Sequence, residues 1–243
     1  MKIIFFSLLF IMLISEILFK RREYPIKNNW ILRSVGFTTI QFLIVILFHN
    51  SLDRFLEKNR LYNLDSYPEF ISTSIAFLVM TFVSYWQHRL KHKIPFLWRY
   101  LHQIHHSPER LEVLTSFYRN PLEIIINMVI MSSVLLLGVG ANVEVATNVV
   151  LLLGLADMFY HWNVKTPYWI GFIIQRPESH GIHHLYKVHS YNFGDIVIWD
   201  MLFGTFKNLK TFNGKCGFGE NREEHILAMM MGKDMSEGRY KKM

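Results

Sequence analysis

The stretch that decides the fold is 85–106, YWQHRLKHKIPFLWRYLHQIHH, in which an apolar run gives way to clustered histidines. The histidines form two groups: His88 and His92, then His102, His105 and His106. Residues at positions i, i+3 and i+4 share one face of a helix, so each group presents its imidazoles together. Pro95 stands between the groups, which predicts two short helices rather than one. Pairs and triplets of imidazoles on a helix face indicate a metal site.

A third group extends the pattern further along the chain. The segment 177–184, PESHGIHH, repeats the triplet spacing, and Pro177 suits the first turn of a helix. Another histidine, His161, directly follows an apolar run. The candidate metal ligands outside the first stretch are therefore His161, His180, His183 and His184. His49 and His225 have no clustered neighbours and are interpreted as ordinary structural histidines.

Composition indicates a membrane protein. The 243 residues are 51% apolar and only 19% charged, with a mean hydropathy of +0.19 beside a net charge of +7. Apolar and basic residues must then occupy different stretches of the chain. This composition excludes a disordered chain, and the single cysteine, Cys216, excludes a disulfide framework and a cysteine-ligated zinc or iron–sulfur centre.

Apolar runs of the length needed to cross a bilayer recur along the chain. A helix rises about 1.5 Å per residue and the hydrocarbon layer is about 30 Å thick, so a span needs roughly 17 to 25 apolar residues. The predicted spans are Ile3–Phe19, Ser34–Phe48, Phe70–Trp86, Ile124–Ala141 and Val145–Phe159. We therefore expect an all-α integral-membrane bundle of about four or five transmembrane helices with a His-rich cap. The chain 1–243 reads as one domain, with amino-terminal spans in 1–68, a His-box core in 70–206 and a tail in 207–243.

The basic residues predict an orientation. Of the 26 Lys and Arg, 22 fall in the segments 20–33, 89–119 and 165–242. Because cytoplasmic loops carry the excess of Lys and Arg, we expect these segments, with the histidine groups and the carboxyl terminus, on the cytoplasmic side. Five spans would then place the amino terminus outside. Topology accounts for the positive charge, and no nucleic-acid reader motif is present, so we expect no nucleic-acid partner.

The number of histidines predicts how many metals they bind. A metal with four to six coordination positions cannot use nine imidazoles, so two metals are implied. A ligating histidine normally donates its other N–H to an acceptor that orients the ring. Asp157 stands one helical turn before His161 and is the first candidate for that role. Four further acidic residues lie near the groups in sequence: Glu109, Glu178, Asp195 and Asp200.

These segments together resemble a known family. The ordered boxes are His88-Arg-Leu-Lys-His92, His102-Gln-Ile-His105-His106-Ser-Pro-Glu and Pro177-Glu-Ser-His180-Gly-Ile-His183-His184, followed by Asn192-Phe-Gly and Trp199-Asp-Met-Leu-Phe-Gly-Thr205. The pattern is similar to that of the fatty acid hydroxylase/sterol desaturase superfamily, whose members are integral-membrane di-iron oxygenases. The likeness runs from about Tyr85 to Phe206, half of the chain.

The resemblance implies a specific activity. It implies that the nine histidines hold two iron ions and that O2 is a co-substrate for hydroxylation or desaturation of a membrane lipid. Electrons would come from a separate reductase, ferredoxin or cytochrome, because the chain lacks a haem-binding His-Pro-Gly-Gly element and a strand-linked dinucleotide motif.

The chain also departs from the family pattern near one of the boxes. Some members carry a second histidine where Lys165 stands, which leaves Asn163, His189 or water to complete one iron's coordination.

Two other functions remain open at this point. A di-zinc membrane hydrolase would keep the same His boxes, because imidazole ligands alone do not separate zinc from iron. A metal transporter would also cluster histidines, but it should place ionisable ligands near the middle of several spans. The predicted spans are almost free of such residues, which disfavours the transporter.

Overall fold

The computed structural model describes residues 1–219 and 221–236, and the regular secondary structure in these ranges is helical. No strand occurs in these ranges, where β pairing is limited to the isolated bridges Ile174–Ile196 and Leu185–Cys216. The predicted all-α membrane fold is confirmed. The end of the predicted tail, 237–243, lies outside the described residues.

The helices are joined by connections of very different length. In chain order they are α1 Lys2–Leu18, α2 Trp30–Lys58, α3 Glu69–Lys93, α4 Gln103–His106, α5 Pro121–Gly138, α6 Val143–His161, α7 Pro177–His183, α8 Val197–Leu202 and α9 Ile226–Met230. Single helical turns lie at Pro95–Leu97, Trp98–His102, Val113–Phe117, Tyr168–Phe172 and Arg222–Glu224. Helices α2 and α5 each include a π-helical segment, at His49–Asp53 and Ser133–Gly138.

Among the described residues, α2, α3, α5 and α6 are long and apolar enough to cross a membrane. Capping side chains fix the starts of α5 and α6. The Asn120 side chain accepts from the Leu122 amide with Pro121 in the first turn, and the Asn142 side chain accepts from the Val145 amide.

The first predicted span forms as the 17-residue helix α1. The ring of Phe5 lies against Gly154, and the Trp162 indole N–H donates to the Met12 carbonyl at 3.0 Å. Helix α1 therefore runs beside the half of α6 that ends at His161, rather than along the whole of it.

The first histidine group lies within a long helix, which corrects one prediction. His88 and His92 were expected on a short helix of their own, but α3 continues unbroken from the predicted third span through Lys93. The helix ends only at Ile94, which is extended (ψ 116°) because the following Pro95 disfavours helical backbone. Pro95 does separate the first two groups, and it turns the chain towards α4.

The spans pack in two pairs, α3 against α6 and α2 against α5. At the end far from the histidines a buried apolar cluster joins them, and it includes Met80, Leu136 and Val149. The α5–α6 hairpin closes at Gly140, where φ is +80° and a Cβ would come within 2.3 Å of the Tyr62 carbonyl oxygen. Only glycine fits there. This packed end holds the four helices in register, and the opposite end carries the histidines.

Candidate metal centre

The structure brings all nine predicted histidines together, and it divides them into two groups. The five-His group is His88, His92, His102, His106 and His183. The four-His group is His105, His161, His180 and His184. Within each group, one potential ligand atom per residue lies within 4.8 Å of all the others. Eight of the rings are buried and His88 is half-buried.

The triplet spacing explains how one helix serves both groups. His102, the last residue of the turn before α4, and His106 on α4 are four residues apart and face the five-His group, while His105 points to the four-His group. Pro177 opens α7 as predicted, and His183 at its end and His184 just after it go to different groups. The two adjacent groups are thus interleaved across α4 and α7.

The distances between ring nitrogens fit metal ligation. The Nε2 atoms of His102 and His106 are 3.1 Å apart, and those of His161 and His180 are 3.2 Å apart. Two ligands bound at about 2.1 Å to one metal, at angles between a right angle and the tetrahedral angle, lie about 3.0 to 3.4 Å apart. Each group therefore has a pair of nitrogens at ligand spacing.

Buried ring nitrogens without partners point the same way. In the five-His group, Nε2 of His88 and Nε2 of His183 have no hydrogen-bond partner among the described residues. In the four-His group, the same holds for Nδ1 of His105. Leaving a buried polar atom unpaired is costly, so such atoms need an explanation. A metal ion in each group supplies one, and the residues present fit two ions.

The surroundings of three of the rings favour the neutral form that a metal ligand needs. Burial, and next the charge that a neighbouring imidazole would carry, lower the pKa of His105 and of His184 well below the ordinary value for histidine. The same two causes lower the pKa of His106. A neutral imidazole keeps a lone pair available for a metal at physiological pH.

Backbone carbonyls orient several of the rings. Nδ1 of His88 lies 2.8 Å from the Phe193 carbonyl oxygen, and Nδ1 of His183 lies 2.8 Å from that of Tyr191. Since a carbonyl can only accept, Nδ1 carries the proton in both rings and Nε2 keeps the lone pair. This arrangement fixes the tautomer that presents Nε2 to a metal.

A buried carboxylate that sequence reasoning missed performs the same task for His102. The Nδ1–H of His102 donates to Glu123 Oε1 at 2.8 Å, and the Lys91 ammonium donates to the same oxygen at 2.8 Å. Glu123 is fully buried in the first turn of α5. The available signal was the helix start at Asn120-Pro121, which places an acidic residue of that first turn at the same end of the bundle as the histidines.

Of the acidic residues predicted to orient rings, Asp157 does so. Its carboxylate lies 3.2 Å from Nδ1 of His161, whose ring also bonds the Asp157 carbonyl at 2.8 Å, and it pairs with Arg119. The other four bond elsewhere, which corrects that prediction. Their partners are Lys27 for Glu109, Thr166 and Arg176 for Glu178, Tyr160 for Asp195, and the Phe193 and Gly194 amides for Asp200.

The residues proposed to compensate for Lys165 do not lie as ligands would. Both ends of the Asn163 amide bond the Arg22 backbone. Nδ1 of His189 lies 3.0 Å from Nδ1 of His106, on the side of that ring away from His102. Lys165 itself is exposed, because α6 ends at His161 and Trp162 is extended.

A cavity adjoins both groups on the membrane side. Its volume is about 170 Å³, and it lies between the α3/α6 pair and the α2/α5 pair. His88 and His102 of one group and His105 and His180 of the other contribute to its wall. Side chains deeper in the bundle, among them Met131, complete the wall with apolar surface. A molecule in this cavity would lie against both groups at once.

Comparison with known proteins gives a consistent family assignment. The family model described as fatty acid hydroxylase matches residues 73–205. Among curated proteins, the chain is 29% identical to human (Homo sapiens) alkylglycerol monooxygenase over 54% of this chain and 30% of that protein. It is 28% identical to ornithine lipid hydroxylase OlsE of Rhizobium tropici over 59% of this chain and 44% of that protein.

A third relative has a differently named activity. The chain is 26% identical to very-long-chain aldehyde decarbonylase GL1-9 of Oryza sativa subsp. indica, over 54% of this chain and 52% of that protein. The aligned parts thus cover between 30% and 52% of the lengths of these relatives. No solved structure matches the chain.

Proposed function

We infer that this chain, which belongs to the fatty acid hydroxylase family, is a membrane-bound di-iron oxygenase that oxidises a lipid with O2. The observation that carries the proposal is the pair of imidazole groups on the wall of a cavity between membrane-spanning helices. The names of two relatives, a monooxygenase and a lipid hydroxylase, support oxygen insertion into a lipid as the reaction class. All nine histidines are proposed as ligands, five to one iron and four to the other.

Iron bound in these groups would supply reduction of O2 to an oxidant able to attack an unactivated C–H bond. For hydroxylation, the C–H bond breaks and a C–O bond forms, while the second oxygen atom leaves as water. The balance requires two electrons and two protons, and we propose that a separate reductase, ferredoxin or cytochrome supplies the electrons.

The chain's own contribution is placement and exclusion of water. The carbonyls of Phe193 and Tyr191 and the carboxylate of Glu123 hold ring N–H groups, so that the opposite nitrogens converge. Burial of the rings keeps water and stray reductants away from the site. The cavity would hold the reacting part of the lipid against both groups.

We propose that the histidine end faces the cytoplasm. The Lys- and Arg-rich segments lie at that end, where Arg33 pairs with Glu223 and Lys27 with Glu109. At the other end, Arg60 pairs with Asp65. The positive-inside rule supports this orientation, which would place the site within reach of a cytoplasmic electron donor.

Oxygen labelling tests the proposal. The iron-loaded full chain is placed in nanodiscs that contain a total lipid extract, and a chemical reductant with ¹⁸O2 is added. We expect lipid-dependent O2 uptake and ¹⁸O in a lipid product, and we expect the His105→Ala chain to form none. The matched control is His49→Ala, which changes a histidine beside Asp53 at the opposite end of α2. Equal loss in both variants would contradict the assignment.

The di-zinc hydrolase is the alternative that the ligand chemistry leaves standing. The same imidazoles suit zinc, and two metals next to a cavity could activate water. Stoichiometric zinc in protein from metal-replete cells, with lipid cleavage and no O2 uptake, would favour it.

A further inference from the structure

The cavity wall beside the histidines is polar although it lies between membrane spans. Ser84 and Gln87 on α3, Asn127 on α5 and Gln41 on α2 contribute to it, together with charged side chains. Polar side chains at membrane depth are costly and are retained for a function. Orienting the metal ligands does not account for all of these polar side chains. Among the described residues, neither Gln41 nor Gln87 forms a hydrogen bond to a histidine.

Four of the charged side chains on this wall form two ion pairs. Lys91 pairs with Glu123 at 2.8 Å, and Arg119 pairs with Asp157. Asp195 also contributes to the wall, and its carboxylate accepts a hydrogen bond from the Tyr160 hydroxyl. In the metal-free chain both cations of the wall are already paired, so an anionic ligand group would compete with a carboxylate for them, whereas a neutral polar group would not.

Both kinds of hydrogen-bonding atom remain available at the wall. Oε1 of Gln41 is a buried acceptor and Nε2 of Gln87 is a buried donor, and neither has a partner among the described residues. Nε of Arg119 is a further buried donor without a partner there. A ligand group that both donates and accepts would satisfy such atoms, and leaving them unpaired costs free energy.

The cavity is too small for a whole lipid. Its volume of about 170 Å³ is below the 300 to 1,000 Å³ that enclose a drug-sized ligand. One end of the substrate must therefore occupy the cavity while the rest of the chain extends between the spans into the bilayer. The unpaired polar atoms favour the polar end as the one inside.

We propose that the cavity binds the neutral, hydrogen-bonding end of a lipid through Gln41 and Gln87, so that the oxidised carbon lies within a few bonds of that polar group. The inference rests on the proposed oxygenase function for its chemistry, and the balance is that of hydroxylation given above, with electrons from the separate donor. The binding part stands on the cavity alone. We expect charged fatty acids and purely apolar hydrocarbons to bind the metal-free cavity less tightly than such a lipid.

Equilibrium binding tests the proposal without any turnover. The metal-free full chain in nanodiscs is titrated with hexadecanamide, which is neutral and both donates and accepts, and with two matched probes, hexadecanoate and heptadecane. Partition into empty nanodiscs is subtracted. We expect hexadecanamide to bind about ten-fold more tightly than either matched probe. The proposal would be overturned if hexadecanamide showed no specific binding, or if it bound no more tightly than hexadecanoate or heptadecane.

Variants assign the recognition to the two glutamines. In Gln41→Leu/Gln87→Leu we expect amide binding to weaken about ten-fold while heptadecane binding does not weaken. Thr39→Leu is the matched control, since it makes the same kind of change at an exposed position of the same helix. Helical content and monodispersity verify that each variant folds. Unchanged amide binding in the double variant would contradict the assignment.

The position of oxygen in the product separates this inference from the proposed function. With the iron-loaded chain, hexadecanamide and ¹⁸O2, we expect the label within the first few carbons from the amide. Label near the methyl end would refute this inference and leave the oxygenase intact. Tight amide binding without any ¹⁸O incorporation by the iron-loaded, reduced chain would instead refute the oxygenase and the position of attack, while the binding site would stand.

Discussion

The five-His and four-His groups are built alike but are not equally supplied with ligands. Each contains a ring whose Nδ1 lies within 3.2 Å of a carboxylate that is itself paired with a cation. In the five-His group these are His102, Glu123 and Lys91, and in the four-His group they are His161, Asp157 and Arg119. The four-His group has one imidazole fewer.

The end of α6 explains the difference. Some family members have a second histidine one turn after the one that matches His161, but here the helix ends at that residue and Lys165 is exposed. The five-His group instead uses two turns of α3, His88 and His92, because that helix continues as far as Lys93. If each group binds one metal ion, the ion in the four-His group would have one imidazole fewer than the ion in the five-His group.

Removing a ligand should therefore matter most in the four-His group. We expect His184→Ala to weaken metal binding more than His92→Ala does and to lose at least about 100-fold of activity, because three imidazoles remain for that ion and none is in excess. His92→Ala leaves four in its group, so both metals should stay, with a weakened affinity for one. Metal content per chain, measured after gel filtration, compares the two variants. A greater metal loss in His92→Ala than in His184→Ala would contradict the unequal supply.

The next largest effects are expected from changing the two carboxylates beside the rings. Glu123→Gln removes the charge that holds His102, and Asp157→Asn does the same for His161. We expect each to weaken one metal site about 10- to 100-fold, the range found when such orienting partners are changed. Competition with a chelator measures the affinity of each site. Asn127→Ala is the control, because it removes one hydrogen-bond partner of Lys91 and leaves both carboxylates in place. A comparable loss of metal affinity in this variant would argue against a specific role for the two carboxylates.

A pH effect is expected beside the four-His group. Burial, and next the Asp157 charge, raise the pKa of Asp195 to about 7 from an ordinary value of 3.8. Between these values the folded chain holds a proton on Asp195 that the unfolded chain has released, so the contribution of Asp195 to stability falls as pH rises through this window. The buried histidines with lowered pKa act in the opposite direction, because the unfolded chain protonates them at low pH. Melting of the metal-free chain from pH 4.5 to 7.5 measures the sum, and the melting temperature of Asp195→Asn should rise more steeply with pH than that of the wild-type chain. An unchanged slope in that variant would assign the pH dependence to other groups.

The smallest expected effect is that of Lys165→His. Because the chain is extended after His161 and position 165 is exposed, a histidine there should not join the four-His group, and metal affinity should stay within about two-fold. The chelator assay used for the carboxylates measures this variant as well. A marked gain in affinity would mean that α6 extends beyond His161 when position 165 offers a ligand. The missing imidazole of the four-His group would then be due to the residue type at position 165 and not to the end of the helix.

Much of the fold could be predicted from local patterns. The apolar runs gave the spans, and the triplet spacing gave faces that present imidazoles together, because both depend on helical periods alone. The continuation of α3 through His92 was missed because a proline ends a helix only just before itself, at Ile94. The sequence offered no sign that α1 lies beside only half of α6, which depends on contacts such as Phe5 with Gly154.

The site was predicted less completely than the fold. The division into five and four rings depends on how the segments that carry the histidines pack together, which no local sequence pattern shows. Glu123 was missed because it lies 21 residues from its partner His102, in a different helix. Asp157 was found because its partner is one turn away. Contacts within one helix can be read from spacing, and contacts between helices require the packed structure.

Counting the metals in the wild-type chain tests the central claim most directly. The chain is purified from iron-replete cells without a chelator, and metals are quantified per chain by mass spectrometry. We predict two irons per chain, falling to one or none in His105→Ala and remaining at two in His49→Ala. Stoichiometric zinc, or no more than one metal ion of any kind in the wild-type chain, would contradict the account.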